Sequence, residues 1–256
     1  EPELLPYACF GVACASLIYF ILAGLFRAFG ISRVMRFFPP IVTGPIIIAI
    51  GLNLSSSAIN NCATNWWIAL VAIVIVVAAN IWGKGMIKII PIILGVLGSY
   101  IAAAVTGNVD FTSVKEAAWI GLPIHWNNTV FSIFSDTDVS LLITSIITIV
   151  PISLATIIEH IGDMSAISST VGRNYIANPG LHRTLLGDGL ATLLASLFGA
   201  PANTTYGENT GVLSLTKVFD PRVIRLAACF AILFSFSPKF AALIGCMPAA
   251  TVGGIS

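Results

Sequence analysis

Long apolar stretches separated by short polar links dominate this chain. Runs at about 5–26, 39–54, 66–82, 87–106, 140–160, 185–199 and 223–245, with another opening at 247, are long enough to span a bilayer's hydrocarbon or nearly so. They predict an all-α polytopic membrane protein. Between 200 and 222 the pattern changes. Pro201, Gly207 and Gly211 interrupt a segment rich in Asn and Thr, and a short apolar turn, Val212 to Leu215, follows. A short span broken by Gly and Pro is the mark of a discontinuous helix lining a binding site; an extramembrane loop is the other reading. The first reading expects extended residues near 202–206 and a short helix starting around Gly207 to Thr210.

Composition agrees with the pattern. Hydrophobic residues make up 57% of the 256 and charged ones 9%, too few for the surface of a soluble domain. The formal net charge is +1 and no basic stripe is present, which gives a nucleic-acid partner no footing. Cys9, Cys14, Cys229 and Cys246 lie in apolar stretches and Cys62 in a polar loop, with neither metal spacing nor a disulfide framework. The first residue is not Met and the last ones break off inside an apolar stretch, so a fragment of a longer, transporter-sized protein is expected.

The basic residues set an expected orientation. If the first span runs outward to inward, Arg27, Arg33, Arg36, Lys84, Lys88, Arg173, Arg183, Lys217, Arg222 and Arg225 share one side. Only Lys115 and Lys239 fall on the other, a positive-inside distribution that requires the interrupted 200–217 segment to cross. The loop 107–139 is then external. A weak internal likeness, Phe38 to Ile46 against Met247 to Ile255, repeats Pro and Gly at one spacing. Either it marks an inverted-topology repeat, or it is chance similarity between apolar segments.

Against this background two carboxylates stand out, Glu159 and Glu208. A charge near the bilayer centre costs roughly 2.5–3.5 kcal/mol on insertion scales and survives only against protein or a water-filled cavity. On a helix Glu159 and Asp163 are i and i+4 and share a face, with Gly162 allowing close approach. Repulsion and desolvation favour a proton on at least one of them, which suits proton coupling; local solvation or capping of Asp163 is the alternative. Around 202–211 an extended piece feeding a helix start would offer free backbone N–H groups beside the Glu208 acceptor. A ligand edge of alternating C=O and N–H groups, as in a pyrimidine or oxopurine, satisfies both, whereas two carboxylates repel an inorganic anion. His160 points about 100° away from Glu159 on a 3.6-residue helix and reads as a packed, hydrogen-bonded histidine or a supporting group. Asp188 either buttresses the broken segment through its Thr or Asn groups or touches substrate. Thr205 and Asn209, with Asn203 and Thr204, satisfy broken-helix backbone or support the site.

At these residues the chain resembles the nucleobase–ascorbate transporter family, and within it the bacterial uracil permeases. Glu208-Asn209-Thr210-Gly211 through Thr216-Lys217 matches the family signature, and Glu159-His160-Ile161-Gly162-Asp163 matches its Glu-His-x-Gly-Asp element. Pro179 to Arg183 and Gly187-Asp188-Gly189 look like the connecting segment of uracil-type members. The resemblance implies fourteen segments in two inverted repeats of seven, of which this chain looks like segments four to eleven plus the start of twelve. It assigns 1–38 and 140–238 to a core domain and 39–139 and 239–256 to a gate domain. It also implies that Glu159, Glu208, the Gly207 backbone and Tyr206 bind the nucleobase. Some members carry His where this chain has Asp163, so a His-based proton route does not transfer to it.

The expectation is a secondary transporter of the bacterial plasma membrane that imports uracil with a proton, Glu159 and Asp163 carrying the coupling. Glu rather than Gln at 208 favours uracil over xanthine or urate; a purine permease and, further off, an anion transporter of the same architecture are the alternatives. No cofactor beyond the coupling proton, no metal site and no enzyme chemistry are expected, since no nucleophile–base set or metal motif is present. Membrane lipid and the nucleobase are the expected partners, with a homodimer left open.

Overall fold

Proline and capping residues, more than the apolar runs themselves, decide where the helices end. The computed structural model describes residues 4–34, 36, 40–135, 137–203, 205 and 208–255, and among these it is helical without a β-strand. The helices in chain order are α1 (Leu5–Phe29), α2 (Ile31–Val34), α3 (Pro40–Ala63), α4 (Trp66–Trp82), α5 (Met86–Ile89), α6 (Pro91–Val105) and α7 (Thr112–Glu116). They continue with α8 (Val139–Val171), α9 (Leu181–Leu197), α10 (Glu208–Thr216), α11 (Pro221–Ser235), α12 (Pro238–Gly245) and α13 (Ala249–Ile255). α1 and α8 are each long and apolar enough to cross a membrane.

Several helix bounds depart from the expected runs. The apolar run 87–106 is divided at Ile90, and 223–245 bends by 95° between α11 and α12. Pro91 and Pro238 cause the breaks: each lacks an N–H and disfavours helix in the residue before it. Ser237 then caps α12 by accepting from the Phe240 N–H at 3.4 Å. α3 runs on past residue 54 to Ala63, with Ser55 donating to the Leu52 carbonyl at 2.6 Å within the helix. α8 continues eleven residues past 160 and stops where Gly172 takes a left-handed φ of 73°. There the N–H groups of Gly172 and Arg173 both reach the Ser168 carbonyl. The 247–255 copy of the weak internal likeness contains α13, and the 38–46 copy leads into α3 from Pro40, its first two residues lying outside the described residues.

Chain contacts divide the protein into two units, Glu1–Ile48 with Ile124–Ser214 and Ala49–Pro123 with Leu215–Ser256. In the first, α1 packs on both α8 and α9. Tyr19, Ala23 and Phe26 of α1 meet Ile157 and Ile161 of α8 and Leu181 and Leu185 of α9 in one buried cluster. In the second, α4, α6 and α13 pack together. Ala69, Ala72, Ser99 and Ala103 are wholly buried there, so backbones approach closely. A methyl on Gly254 would fall 2.6 Å from the Ala69 carbonyl oxygen.

Leu17, Ile21 and Leu25 of α1 are 51%, 62% and 38% exposed, an apolar outer face of the kind a soluble protein of this size does not keep and a bilayer covers. Within the second unit Gly121 donates to the Phe236 carbonyl, Lys239 to the Ala118 carbonyl, and the Lys239 ammonium lies 4.6 Å from the Trp119 ring centre. Residues 118–121 and the α11–α12 bend therefore lie together.

Gly11 of α1 sits where an added methyl would lie 2.7 Å from Ile149 Cδ1 and 2.9 Å from the Ser145 carbonyl oxygen of α8, while Gly24 on the same helix has open space. Gly11→Ala in the full-length gene product is expected to cost about 1–3 kcal/mol by overpacking. Gly24→Ala is expected to be neutral or to gain up to about 1 kcal/mol from helix propensity. Thermal unfolding in detergent separates the two, and equal melting temperatures would contradict the close α1–α8 approach.

Candidate functional site

Thr184, Asp188, Thr192 and Ser196 recur every fourth residue along α9 and so form one ridge. Thr192 and Ser196 are buried, and Thr184 and Asp188 half-buried. Leu186, Leu190 and Leu194, on the other side of the helix, are 38%, 50% and 55% exposed. The helix thus turns its polar ridge inward and its leucines outward, the arrangement hydrocarbon requires.

The ridge meets α8 at His160, which is buried. His160 Nε2 lies 3.1 Å from Thr184 Oγ1, and its Nδ1 lies 2.8 Å from Thr205 Oγ1 in the interrupted segment. Asp188 Oδ2 is 3.2 Å from the same Nδ1, yet it makes no hydrogen bond among the described residues, because the geometry suits an ion pair rather than an aligned bond. One turn further along α9, the Thr192 hydroxyl donates to the Asn203 carbonyl at 2.6 Å. From α1, Tyr19 donates to Thr156 Oγ1 at 2.7 Å, the Thr156 hydroxyl being engaged with the Ser153 carbonyl. The Tyr19 hydroxyl lies within the electrostatic field of both Asp188 and Glu159.

Glu159 and Asp163 stand one turn apart on α8, both half-buried. The helix is broken between the end of α9 at Leu197 and the start of α10 at Glu208; residues 201–203 and 205 are outside any helix. Glu208 is the first residue of α10, but its side chain, like Tyr206 and Gly207, lies outside the described residues. Asn209 is exposed. The Thr210 hydroxyl is buried without a hydrogen-bond partner among the described residues. The structure thus brings His160, Asp188 and Thr205 together beside the helix turn that carries Glu159. Chemically, the α8 side of this wall offers the carboxyl groups of Glu159 and Asp163.

A family model described as a permease family, that of the xanthine and uracil permeases, matches residues 4–256. The chain belongs to the nucleobase–ascorbate transporter family. The uracil permease of Bacillus subtilis (strain 168) is 38% identical over 97% of this chain and 59% of its own length. The probable uracil permease of Haemophilus influenzae is 37% identical over 96% of the chain and 59% of its own length. A putative pyrimidine permease of Escherichia coli (strain K12), RutG, is 34% identical over 96% of the chain and 55% of its own length. The chain thus spans less than two thirds of the curated relatives it matches. Family membership and the outward apolar faces together make this part of a multi-pass membrane protein.

The sequence reading centres on the acids and leaves out two threonines of the α9 ridge, Thr184 and Thr192. Thr192 bonds the broken segment directly and His160 does so through Thr205, while Asp188 lies beside the same imidazole nitrogen. A four-residue polar period in an apolar helix was the available signal. Thr192→Val is expected to strip the Asn203 carbonyl of its donor at a cost of about 1–3 kcal/mol, with Thr192→Ser near neutral. Hydrogen exchange over residues 202–212 should quicken in the valine variant alone; equal protection in both variants would remove Thr192 from this role.

Proposed function

We propose that the protein to which these residues belong is a secondary transporter that imports uracil across the bacterial plasma membrane with a proton. The observation that carries the reading is the membrane-embedded Glu159 beside a helix interrupted before Glu208, in a chain 38% identical to a protein named uracil permease. In this reading Glu159 accepts ring N–H groups, and the start of α10, with Glu208, the Gly207 backbone and Tyr206, meets the opposite ring edge. Asp163 carries the coupled proton with Glu159. Residues 1–38 and 140–238 form a core that moves against a gate of 39–139 and 239–256, within an architecture of two inverted seven-segment repeats. Membrane lipid surrounds it, and a homodimer is compatible with it. No bond chemistry and no cofactor are required, since a proton gradient supplies the work. Glu at 208, rather than an amide, supports uracil over an oxopurine.

The three acids separate by role. Glu159→Gln is expected to lose a charge-assisted hydrogen bond of about 1.5–3 kcal/mol, weakening uracil binding on the order of ten- to a hundredfold. Glu208→Gln is expected to be milder and to improve competition by xanthine. Asp163→Asn is expected to spare equilibrium binding and flatten the pH dependence of uptake. Binding and uptake of labelled uracil across about pH 5–8, with xanthine and sulfate as competitors, decide these roles. Unchanged binding in Glu159→Gln would remove its assignment, and competition by sulfate would favour the anion-transporter reading.

The proposed orientation puts residues 27–36, 84–88, 173–183 and 217–225 in the cytoplasm and 107–139 outside. A cysteine introduced at Thr112 in a cysteine-free background should react with an impermeant maleimide added outside intact cells. Labelling only after the membrane is opened would invert the topology.

A further inference from the structure

The Thr184 hydroxyl has one hydrogen, and it is donated to the Leu181 carbonyl at 3.1 Å. Thr184 Oγ1 therefore accepts from His160, and Nε2 carries a hydrogen. The state of Nδ1 is then decided by its two other neighbours, Thr205 Oγ1 at 2.8 Å and Asp188 Oδ2 at 3.2 Å. A bare Nδ1 beside a deprotonated Oδ2 would oppose two lone pairs where the His160 and Asp188 side chains are only 6% and 9% exposed. Such an uncompensated buried charge is strongly disfavoured. One proton must sit on one of these two atoms.

We propose that His160 and Asp188 hold one proton between them and act as a positioning pair that fixes the interrupted segment through Thr205, separately from the Glu159 and Asp163 carboxyls. With the proton on Nδ1, the imidazolium donates to Thr205 and the Asp188 carboxylate is its counter-ion. With the proton on Oδ2, Nδ1 accepts from the Thr205 hydroxyl and the sense of that bond reverses. Both forms are neutral overall, and only one proton moves. Loss of that proton to solvent leaves a net negative charge on the pair. The other titratable or charged residues on the packed elements include Glu159 and Asp163 on α8, Tyr19 on α1, and His182 and Arg183 at the start of α9.

The substrate readout of this inference rests on the uracil reading; the spectroscopic readout does not. In the full-length protein with ¹⁵N-labelled histidine, Asp188→Asn is expected to convert His160 to a plain neutral ring protonated on Nε2, seen as a shift of the Nδ1 resonance that is absent from the His160→Gln spectrum. Thr205→Val should weaken binding about tenfold and move the Nδ1 resonance, with Thr205→Ser restoring both. An Nδ1 resonance unmoved in Asp188→Asn overturns the pair. If Asp188→Asn does not fold, Thr205→Val decides by the same resonance. A protein that binds no uracil sinks the transport reading while the nitrogen shifts still decide the pair.

Discussion

A polar group inside hydrocarbon has no water to fall back on, so an interrupted helix survives only where other parts of the protein supply its hydrogen bonds. The gap between Leu197 and Glu208 is held on these terms. Its Asn203 carbonyl takes the Thr192 hydroxyl, and its Thr205 hydroxyl meets His160. At its start the Ala200 carbonyl receives the weak Cys9 thiol at 3.8 Å. Those partners come from α9, α8 and α1, the three helices that pack together in the first unit. The break is therefore a feature built by its surroundings.

Packing obeys a related constraint. Lipid tails are as apolar as leucine, so burying leucine between helices gains little over leaving it against lipid, and close backbone contact carries association instead. Gly11 against α8 in the first unit and Gly254 against α4 in the second both leave room for no side chain. The same logic puts Leu186, Leu190 and Leu194 outside and the α9 threonines inside, an inversion of the soluble rule.

How much of this was legible follows from what each feature depends on. α4 matched its apolar run of 66–82 because Asn65 caps one end and Gly83 closes the other. The run 223–245 did not survive as one span, because a hydropathy count treats Pro238 as one weakly polar residue and not as a missing donor. α8 outran its apolar stretch because tertiary contacts carry a helix through Glu159 and Asp163 until Gly172 ends it. Glu159 and Glu208 were legible as chemical outliers in an apolar chain. His160 was legible as a packed, hydrogen-bonded histidine and Thr205 as a supporting residue, but their pairing and the part of Thr184 were not, since only the fold makes both threonines neighbours of one imidazole.

The division of labour between a long helix and a short one bears on how a transporter could both bind and release its cargo. Glu159 is anchored in the middle of a 33-residue helix whose neighbours are packed, so its acceptor edge is fixed. The α10 donors depend on a segment secured by a few hydroxyls and one ring. A site built to hydrogen-bond a ring edge discriminates strongly because analogues lacking a partner leave buried groups unpaired. If half of that site rests on a weakly secured segment, its affinity can fall without any movement of α8. A ligand shifts such an equilibrium only by its differential affinity for the two arrangements. In the proposed cycle that differential lies in the donors at the head of α10. Thr205 bonds to His160 of α8, so in the proposed cycle the hold on the interrupted segment adds to what the acids contribute to binding.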